Sequence, residues 1–448
     1  MFGKRRKRIS KVQFIALGFL VIILTGTFLL MMPFSTREGQ NTTFLEALFT
    51  AVSATCVTGL VAVDTFTHWT VAGQIIILVM IQIGGLGFMS IGITFALLLR
   101  RRVSLRYRGL MQESVNTLQI GGIVKLTKKM IKGTLIFEGI GAVILAIRFS
   151  DSLGIGRAIY YGVFHSVSAF CNAGFDLFGR YAEYNSLCGM EGDWVVIMTI
   201  SALVIIGGLG FVVWDDISRN KLHFRKYMLH SKIVLSVTAV LLVLGTVLFL
   251  IFENNNTLVG MDSGTKFLAA FFSSVTPRTA GFNSIDTAAL TPASKLLTMM
   301  LMFIGGSPGS TAGGAKTTTI FVIVAYLWTS MRSKYGIDVF GRRLQADVVK
   351  KAALVMGVNM FLFLTAALII LGFQPELLFS DVMFEVISAI STVGMTTGIT
   401  RELNTVGRIV IMLLMFCGRI GSMTFALSFI QKPESSHITL PVEKITIG

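Results

Sequence analysis

The sequence predicts an all-α integral membrane protein built from four repeats, each a membrane-spanning helix, a short re-entrant helix and a second span. Three observations predict it. Of 448 residues, 53% are hydrophobic and only 14% charged, against roughly a quarter charged in soluble domains, and mean hydropathy is +0.76. Apolar stretches long enough to cross a bilayer alternate with blocks of basic residues. Between each odd stretch and the next even one lies a further apolar segment of about 12 residues, too short to cross.

The spanning stretches are 14–32, 70–99, 130–149, 193–217, 232–252, 292–330, 352–373 and 405–430. The first is retained rather than cleaved, because 14–32 exceeds a signal-peptide core and lacks a small-residue cleavage site. Lys and Arg total 39 against 23 Asp and Glu, a net charge of +16. In a soluble chain that balance would suggest nucleic acid, but here the positions of the charges argue otherwise. Six basic residues fall within 1–11, nine between Arg100 and Lys132, five between Arg219 and Lys232, and six between Arg332 and Lys351. The positive-inside rule makes these blocks cytoplasmic. The connections 33–43, 150–156, 253–265 and 374–380 carry little or mixed charge and belong outside. Both termini are then cytoplasmic, with the chain divided into a basic N-terminus 1–13, repeats 14–110, 111–229, 230–350 and 351–431, and a tail 432–448. Four scattered cysteines, Cys56, Cys171, Cys188 and Cys417, support neither a disulfide framework nor a zinc site. The spans hold no HExxH motif and no Ser/His/Asp cluster, so no enzyme is expected.

The four short segments align on a glycine: ALFTAVSATCVTG (47–59), GVFHSVSAFCNAG (162–174), AAFFSSVTPRTAG (269–281) and VMFEVISAISTVG (382–394). Each has a phenylalanine ten residues earlier: Phe49, Phe164, Phe271 and Phe384. Irregular backbone at membrane depth is tolerated only where protein buries it or water lines it, so four such strips are expected to surround one pore in pseudo-fourfold symmetry. A short helix entering from outside points its partially negative C-terminal end at that pore, which favours a cation. Glycine lets carbonyls turn to the axis without a Cβ clash, and a ring of carbonyls can replace an ion's hydration shell. The candidate selectivity filter is Thr55, Cys56, Val57, Thr58 and Gly59; Cys171, Asn172, Ala173 and Gly174; Arg278, Thr279, Ala280 and Gly281; and Ser391, Thr392, Val393 and Gly394.

The sixth stretch is interrupted by Gly305, Gly306, Ser307, Pro308, Gly309, Ser310, Thr311, Ala312, Gly313 and Gly314. Ala315 stands where a phosphate-binding loop needs its lysine, and Lys316 comes one residue late, so no nucleotide site is expected in this chain. Internal glycines cost roughly 1 kcal/mol each relative to alanine in a helix, so this stretch predicts a broken helix. Arg419 lies inside the last span, where the other repeats carry Gly85, Gly208 and Gly306. A charge at that depth costs about 2.5 to 3.5 kcal/mol on translocon scales, which predicts an electrostatic barrier or latch acting on the carbonyls of 305–314.

The strips TCVTG (55–59), CNAGF (171–175), TPRTAGF (276–282) and STVGMTTG (391–398), with QIGGLGF (82–88), GGSPGSTAGGAKTT (305–318) and GRIG (418–421), resemble the Trk/Ktr/HKT superfamily of potassium transporters over nearly the whole chain. With eight spans and no extra N-terminal pair, the chain looks most like the membrane subunit of a bacterial Ktr system. The resemblance implies four membrane-pore-membrane repeats that pass K⁺, a frequent dependence on Na⁺, a homodimer in the lipid bilayer, and a separate cytosolic ring of nucleotide-binding subunits sensing ATP or NAD-type ligands. It also makes 305–314, with Lys316, an intramembrane gating loop. Plant relatives with Ser in the first strip favour Na⁺; Gly59 favours K⁺.

Asp64, Asp176 and Asp286 follow three of the glycines and either attract cations or are solvated loop charges. Glu113 and Glu138 read as local partners of basic or interfacial residues, His165 as packing, and Arg278 as pointing behind the strips. The Gly-Gly-x-Gly runs at 84–87 and 207–210 read as close helix contacts. The rival reading is a secondary transporter coupling Na⁺ or H⁺ to K⁺ by alternating access; four parallel repeats favour the pore.

Overall fold

The computed structural model describes residues 11–87, 90, 109, 122–221, 223–333, 336–345 and 347–421. The basic N-terminus, most of the Arg100–Lys132 block including Glu113, the ends of the 70–99 and 405–430 stretches, and the tail 432–448 lie outside the described residues.

Helices dominate. In chain order they are α1 (Lys11–Leu30), α2 (Phe44–Cys56), α3 (Thr65–His68), α4 (Val71–Leu86), α5 (Ile123–Leu153), α6 (Ile155–Phe170), α7 (Trp194–Leu209), α8 (Phe211–Asn220), α9 (Leu229–Glu253), α10 (Ser263–Val275), α11 (Pro292–Ile304), α12 (Thr317–Met331), α13 (Asp347–Phe373), α14 (Phe379–Ile390) and α15 (Thr405–Ile420). The strands among the described residues are β1 (Asp338–Val339) and β2 (Arg342–Arg343), an antiparallel pair with Asp338 opposite Arg343.

Among the described residues α1, α5, α9 and α13 are long and apolar enough to cross a membrane as single rods, and the bent pair α7–α8 brings the number to five. At about 1.5 Å of rise per residue, the 20 residues of α1 span the hydrocarbon thickness. Outward faces such as Leu135, Ile140, Val143 and Ile147 of α5 are exposed, as lipid contact requires. The other apolar stretches break. The run 193–217, continuous in hydropathy, bends by 95° between α7 and α8, because Gly210 takes φ 98° there. The run 292–330 splits into α11 and α12 around a loop in which Gly305, Gly309, Gly314 and Lys316 all have positive φ. Left-handed backbone cannot continue a right-handed helix.

Each short helix packs on the long helix before it: α2 on α1, α6 on α5, α10 on α9 and α14 on α13. Small residues allow this. A Cβ on Gly162 of α6 would stand 2.5 Å from the Ala142 carbonyl oxygen of α5, and Ser166 of α6 donates to the Glu138 carbonyl at 2.7 Å. Contacts between units close a circuit: α4 meets α6, α7 meets α10, α11 meets α14, and α15 returns to α2. The core of this circuit holds Phe49, Phe164 and Phe384, all fully buried. In the third short helix the buried ring is Phe272 rather than Phe271, which is only partly buried. The reason is a one-residue slip. Thr58, Ala173 and Val393 each donate N–H to the carbonyl five residues earlier, whereas Ala280 reaches only four back, to Thr276.

Candidate functional site

The short helices α2, α6, α10 and α14 end one to four residues before a non-glycine residue in the left-handed region: Val57 (φ 58°), Asn172 (φ 60°), Thr279 (φ 71°) and Thr392 (φ 50°). Two residues after each comes a glycine with positive φ: Gly59, Gly174, Gly281 and Gly394. The pairing reverses the chain and leaves an extended strip running back along its own helix. A hydroxyl on the helix pins each strip. Ser53 Oγ accepts from Gly59 N–H and Ser388 Oγ from Gly394 N–H, both at 3.1 Å. Ser168 and Thr276 donate to the Phe175 and Phe282 carbonyls at 2.6 Å. The sequence carried this signal, a serine six residues before three of the glycines, but the slip at Thr276 broke the pattern.

The four glycines form a closed ring. A Cβ added at Gly59 would stand 2.5 Å from the Ala173 carbonyl oxygen, one at Gly174 2.8 Å from that of Ala280, and one at Gly281 2.6 Å from that of Val393. A Cβ at Gly394 would collide with the Thr58 carbonyl oxygen and complete the cycle. Each glycine therefore abuts the carbonyl just before the next. Both the positive φ and the lack of space make glycine the one residue that fits these four positions without strain.

On one side the ring floors a cavity of about 430 Å³ lined by Asp64, Asp176, Glu183 and Asp286, with Arg401 as the opposing charge. Asp64 caps α3 through Phe66 and Thr67 N–H, and its other oxygen accepts from Tyr184 N–H at 3.0 Å. Asp176 accepts from Phe178 N–H at 2.9 Å; burial, with Asp64 nearby, raises its pKa to about 7. Asp286 is exposed.

On the other side lies the 305–314 loop. Ser307 and Thr311 N–H donate to the Gly208 and Gly207 carbonyls at 3.0 and 3.3 Å. The Thr311 hydroxyl donates to Asn172 Oδ1 at 3.0 Å, and Gly313 lies so close to Thr392 that a Cβ there would collide with its hydroxyl. Lys316 folds back to donate to the Ala312 carbonyl at 2.6 Å. Arg419 donates to the carbonyls of Thr311, Gly84 and Gly85, and among the described residues it forms no ion pair. Arg419 and the loop thus share a hydrogen-bond network below the ring.

Other side chains settle behind the strips. Arg278 donates to Thr238 Oγ1 of α9 at 3.1 Å, away from the ring. His165 uses both nitrogens, Nδ1 with the Tyr161 carbonyl at 2.7 Å and Nε2 with Leu177 N–H at 3.1 Å, which makes it a packing residue. Glu138 corrects the sequence expectation of a basic or interfacial partner. It is buried behind the second strip, where Gln82 donates to it at 3.2 Å and the Cys171 thiol lies 3.9 Å away. Helix periodicity could not show this, since Gln82 comes from α4. Sequence reasoning missed Glu385, fully buried on α14, whose oxygens accept from Thr400 at 2.5 Å and Thr396 at 2.7 Å and brace the fourth strip. Glu385 occupies the place in its segment that His165 holds in the second, nine residues before the glycine. Among the described residues no cluster of His, Cys, Asp and Glu has the grouping of a metal site.

The chain is similar to known proteins along nearly its whole length. Residues 6–439 match the model of the family described as TrkH, cation transport protein. The chain is 42% identical over 449 residues to the potassium/sodium uptake protein NtpJ of Enterococcus hirae, covering 99% of this chain and 98% of that one. It is 38% identical to Ktr system potassium uptake protein B of Bacillus subtilis, covering 98% and 97%. The crystal structure of the potassium transporter TrkH from Vibrio parahaemolyticus shares the fold, with TM-score 0.71 at 16% identity, over 96% of this chain and 87% of that one.

Proposed function

Because the chain belongs to the TrkH family of cation transport proteins, a non-enzymatic transport family with multi-pass apolar helices, we propose that it is the ion-translocating subunit of a Ktr-type K⁺ uptake system in the cytoplasmic membrane. The closed ring of Gly59, Gly174, Gly281 and Gly394 carries this reading. Four strips whose carbonyls stand side by side offer dehydrated K⁺ the oxygens it loses on leaving water. Four helix C-termini, each equivalent to roughly half a negative charge, converge on the same point. The acidic cavity above concentrates cations at the entrance.

In this reading the repeats 14–110, 111–229, 230–350 and 351–431 are four membrane-pore-membrane units in pseudo-fourfold symmetry. α2, α6, α10 and α14 are re-entrant pore helices, and both termini are cytoplasmic. The filter is formed by 55–59, 171–174, 278–281 and 391–394, with backbone carbonyls as ligands and the Arg278 side chain turned away. The gate is the 305–314 loop with Lys316 and Arg419. Relatives named as components of a Ktr system support a separate regulatory partner, assigned here as a cytosolic nucleotide-binding ring on a homodimer of this chain. One relative's name pairs potassium with sodium, which supports Na⁺ as a second ion of the cycle.

The test is ⁸⁶Rb⁺ uptake into proteoliposomes holding the purified chain with and without its cytosolic partner. Uptake that K⁺ suppresses and Na⁺ spares is the expected result. Equal suppression by Na⁺ would make the ring a general cation path.

A further inference from the structure

Asn172 stands at a junction of three elements. It is the left-handed residue of the second strip, 1% exposed, and the amide at its tip is divided between two directions. Its Nδ2 lies 3.4 Å from both the Arg278 carbonyl and Thr279 Oγ1, so it donates to the third strip. Its Oδ1 accepts from the Thr311 hydroxyl at 3.0 Å, so it receives from the intramembrane loop. The corresponding residues of the other strips are Val57, Thr279 and Thr392, of which none carries a donor and an acceptor on two separate atoms as an amide does. Thr311 is held as firmly on its own side. Its hydroxyl is also 3.3 Å from the Phe170 carbonyl, its N–H donates to the Gly207 carbonyl at 3.3 Å, and its carbonyl accepts from Arg419.

A planar amide cannot rotate to follow one partner without disturbing the other. If the loop withdraws, Asn172 Oδ1 is left buried without a donor, and the amide must turn or shift to find one. Turning removes Nδ2 from the third strip. The positions of the loop and of two of the four strips are therefore one mechanical variable.

We propose that Asn172 is a positioning residue that couples the intramembrane loop to ring selectivity: with the Thr311–Asn172 bond made, strips two and three are held at the spacing that favours K⁺, and with it broken they relax and discriminate less against Na⁺. This rests on the transport reading above and adds a regulatory link to it. Coupling is reciprocal, so an ion seated in the ring also favours the bonded position of the loop.

The experiment is ⁸⁶Rb⁺ uptake into proteoliposomes with Na⁺ as competitor, comparing the unmodified chain with Thr311→Val, Thr311→Ser and Asn172→Asp. Thr311→Val removes the hydroxyl and keeps the shape. Asn172→Asp keeps the acceptor for Thr311 and gives up the donor to the third strip, breaking the link from the other end. Both are expected to lower the Na⁺ concentration that halves uptake by threefold or more, whatever happens to the maximal rate, while Thr311→Ser restores the unmodified value. A Thr311→Val or Asn172→Asp protein whose rate changes but whose Na⁺ competition does not would overturn the coupling and leave Thr311 a gate residue alone. Uptake by the unmodified chain, suppressed by K⁺ and spared by Na⁺, tests the transport reading separately.

Discussion

The carbonyl oxygen of Thr311 accepts a hydrogen bond from the guanidinium of Arg419, 108 residues further along the chain. One residue comes from the break between α11 and α12 and the other from the last turn of α15, so the contact ties the loop to the end of α15 beneath the glycine ring. The guanidinium offers five donors and no acceptor, and it donates to the carbonyls of Thr311, Gly84 and Gly85, bridging to the end of α4 as well.

Arg419→Gln should therefore free the loop. Hydrogen bonds to a charged group contribute about 1.5 to 3 kcal/mol each, so loss of the bond to Thr311 alone predicts a rise in maximal ⁸⁶Rb⁺ uptake of about tenfold or more. Half-saturation for K⁺ should change little, because the hydrogen bonds of Arg419 go to Thr311, Gly84 and Gly85 rather than to the strips. A maximal rate equal to that of the unmodified chain would remove Arg419 from gating.

Gly281→Ser is predicted to damage selectivity more than folding. The new Cβ would stand 2.6 Å from the Val393 carbonyl oxygen, and the residue would have to keep φ 79°. Left-handed backbone costs a non-glycine residue roughly 1 to 2 kcal/mol, a fraction of a domain's stability, while the displaced carbonyl is one of the four proposed ligands. Na⁺ should then compete with ⁸⁶Rb⁺ at concentrations where it has no effect on the unmodified chain. Gly59→Ser, at 2.5 Å from the Ala173 carbonyl oxygen, should behave alike.

Glu385 is expected to matter for stability. Replacing it by Ala removes the carboxylate that accepts from Thr396 and from the buried Thr400, at about 1 to 3 kcal/mol for the buried hydroxyl. Thermal unfolding in detergent should fall by several degrees for Glu385→Ala and by less for Glu385→Gln, which retains one acceptor oxygen. An unchanged midpoint would show that the fourth strip is held by Ser388 alone.

The acidic cavity gives a pH dependence. Burial raises the Asp176 pKa from 3.8 to about 7, with Asp64 adding to the rise. Between those values the folded state holds a proton the unfolded chain has released, so this group's contribution to stability falls as pH rises from about 4 to 7. Its effect on transport runs the other way: above pH 7 the cavity gains a negative charge. Uptake at low external K⁺ should increase from pH 6 to pH 8, and Asp176→Asn should flatten that profile.

Much of the fold was legible because its constraints are local. Glycine at a fixed distance after a short apolar segment showed where each strip ends, and glycine crowding in 305–314 showed where a helix fails. What stayed hidden depends on distant partners. Glu138 was misread because Gln82 lies on another helix, and Glu385 went unnoticed because the hydroxyls that satisfy it come from the far side of its own glycine. Phe271 was matched in place of Phe272 because the third strip is one residue shorter in its turn. The 95° bend at Gly210 is invisible to hydropathy, which sees an unbroken apolar run.

Anomalous diffraction from crystals of the protein grown in Rb⁺ bears most directly on the glycine ring as an ion-binding element. The predicted result is a Rb⁺ peak on the axis enclosed by the carbonyls of Thr58, Ala173, Ala280 and Val393, displaced by K⁺ and retained in Na⁺. Rb⁺ found only in the acidic cavity, with the ring empty at saturating concentration, would contradict the assignment of these four strips as the selectivity filter.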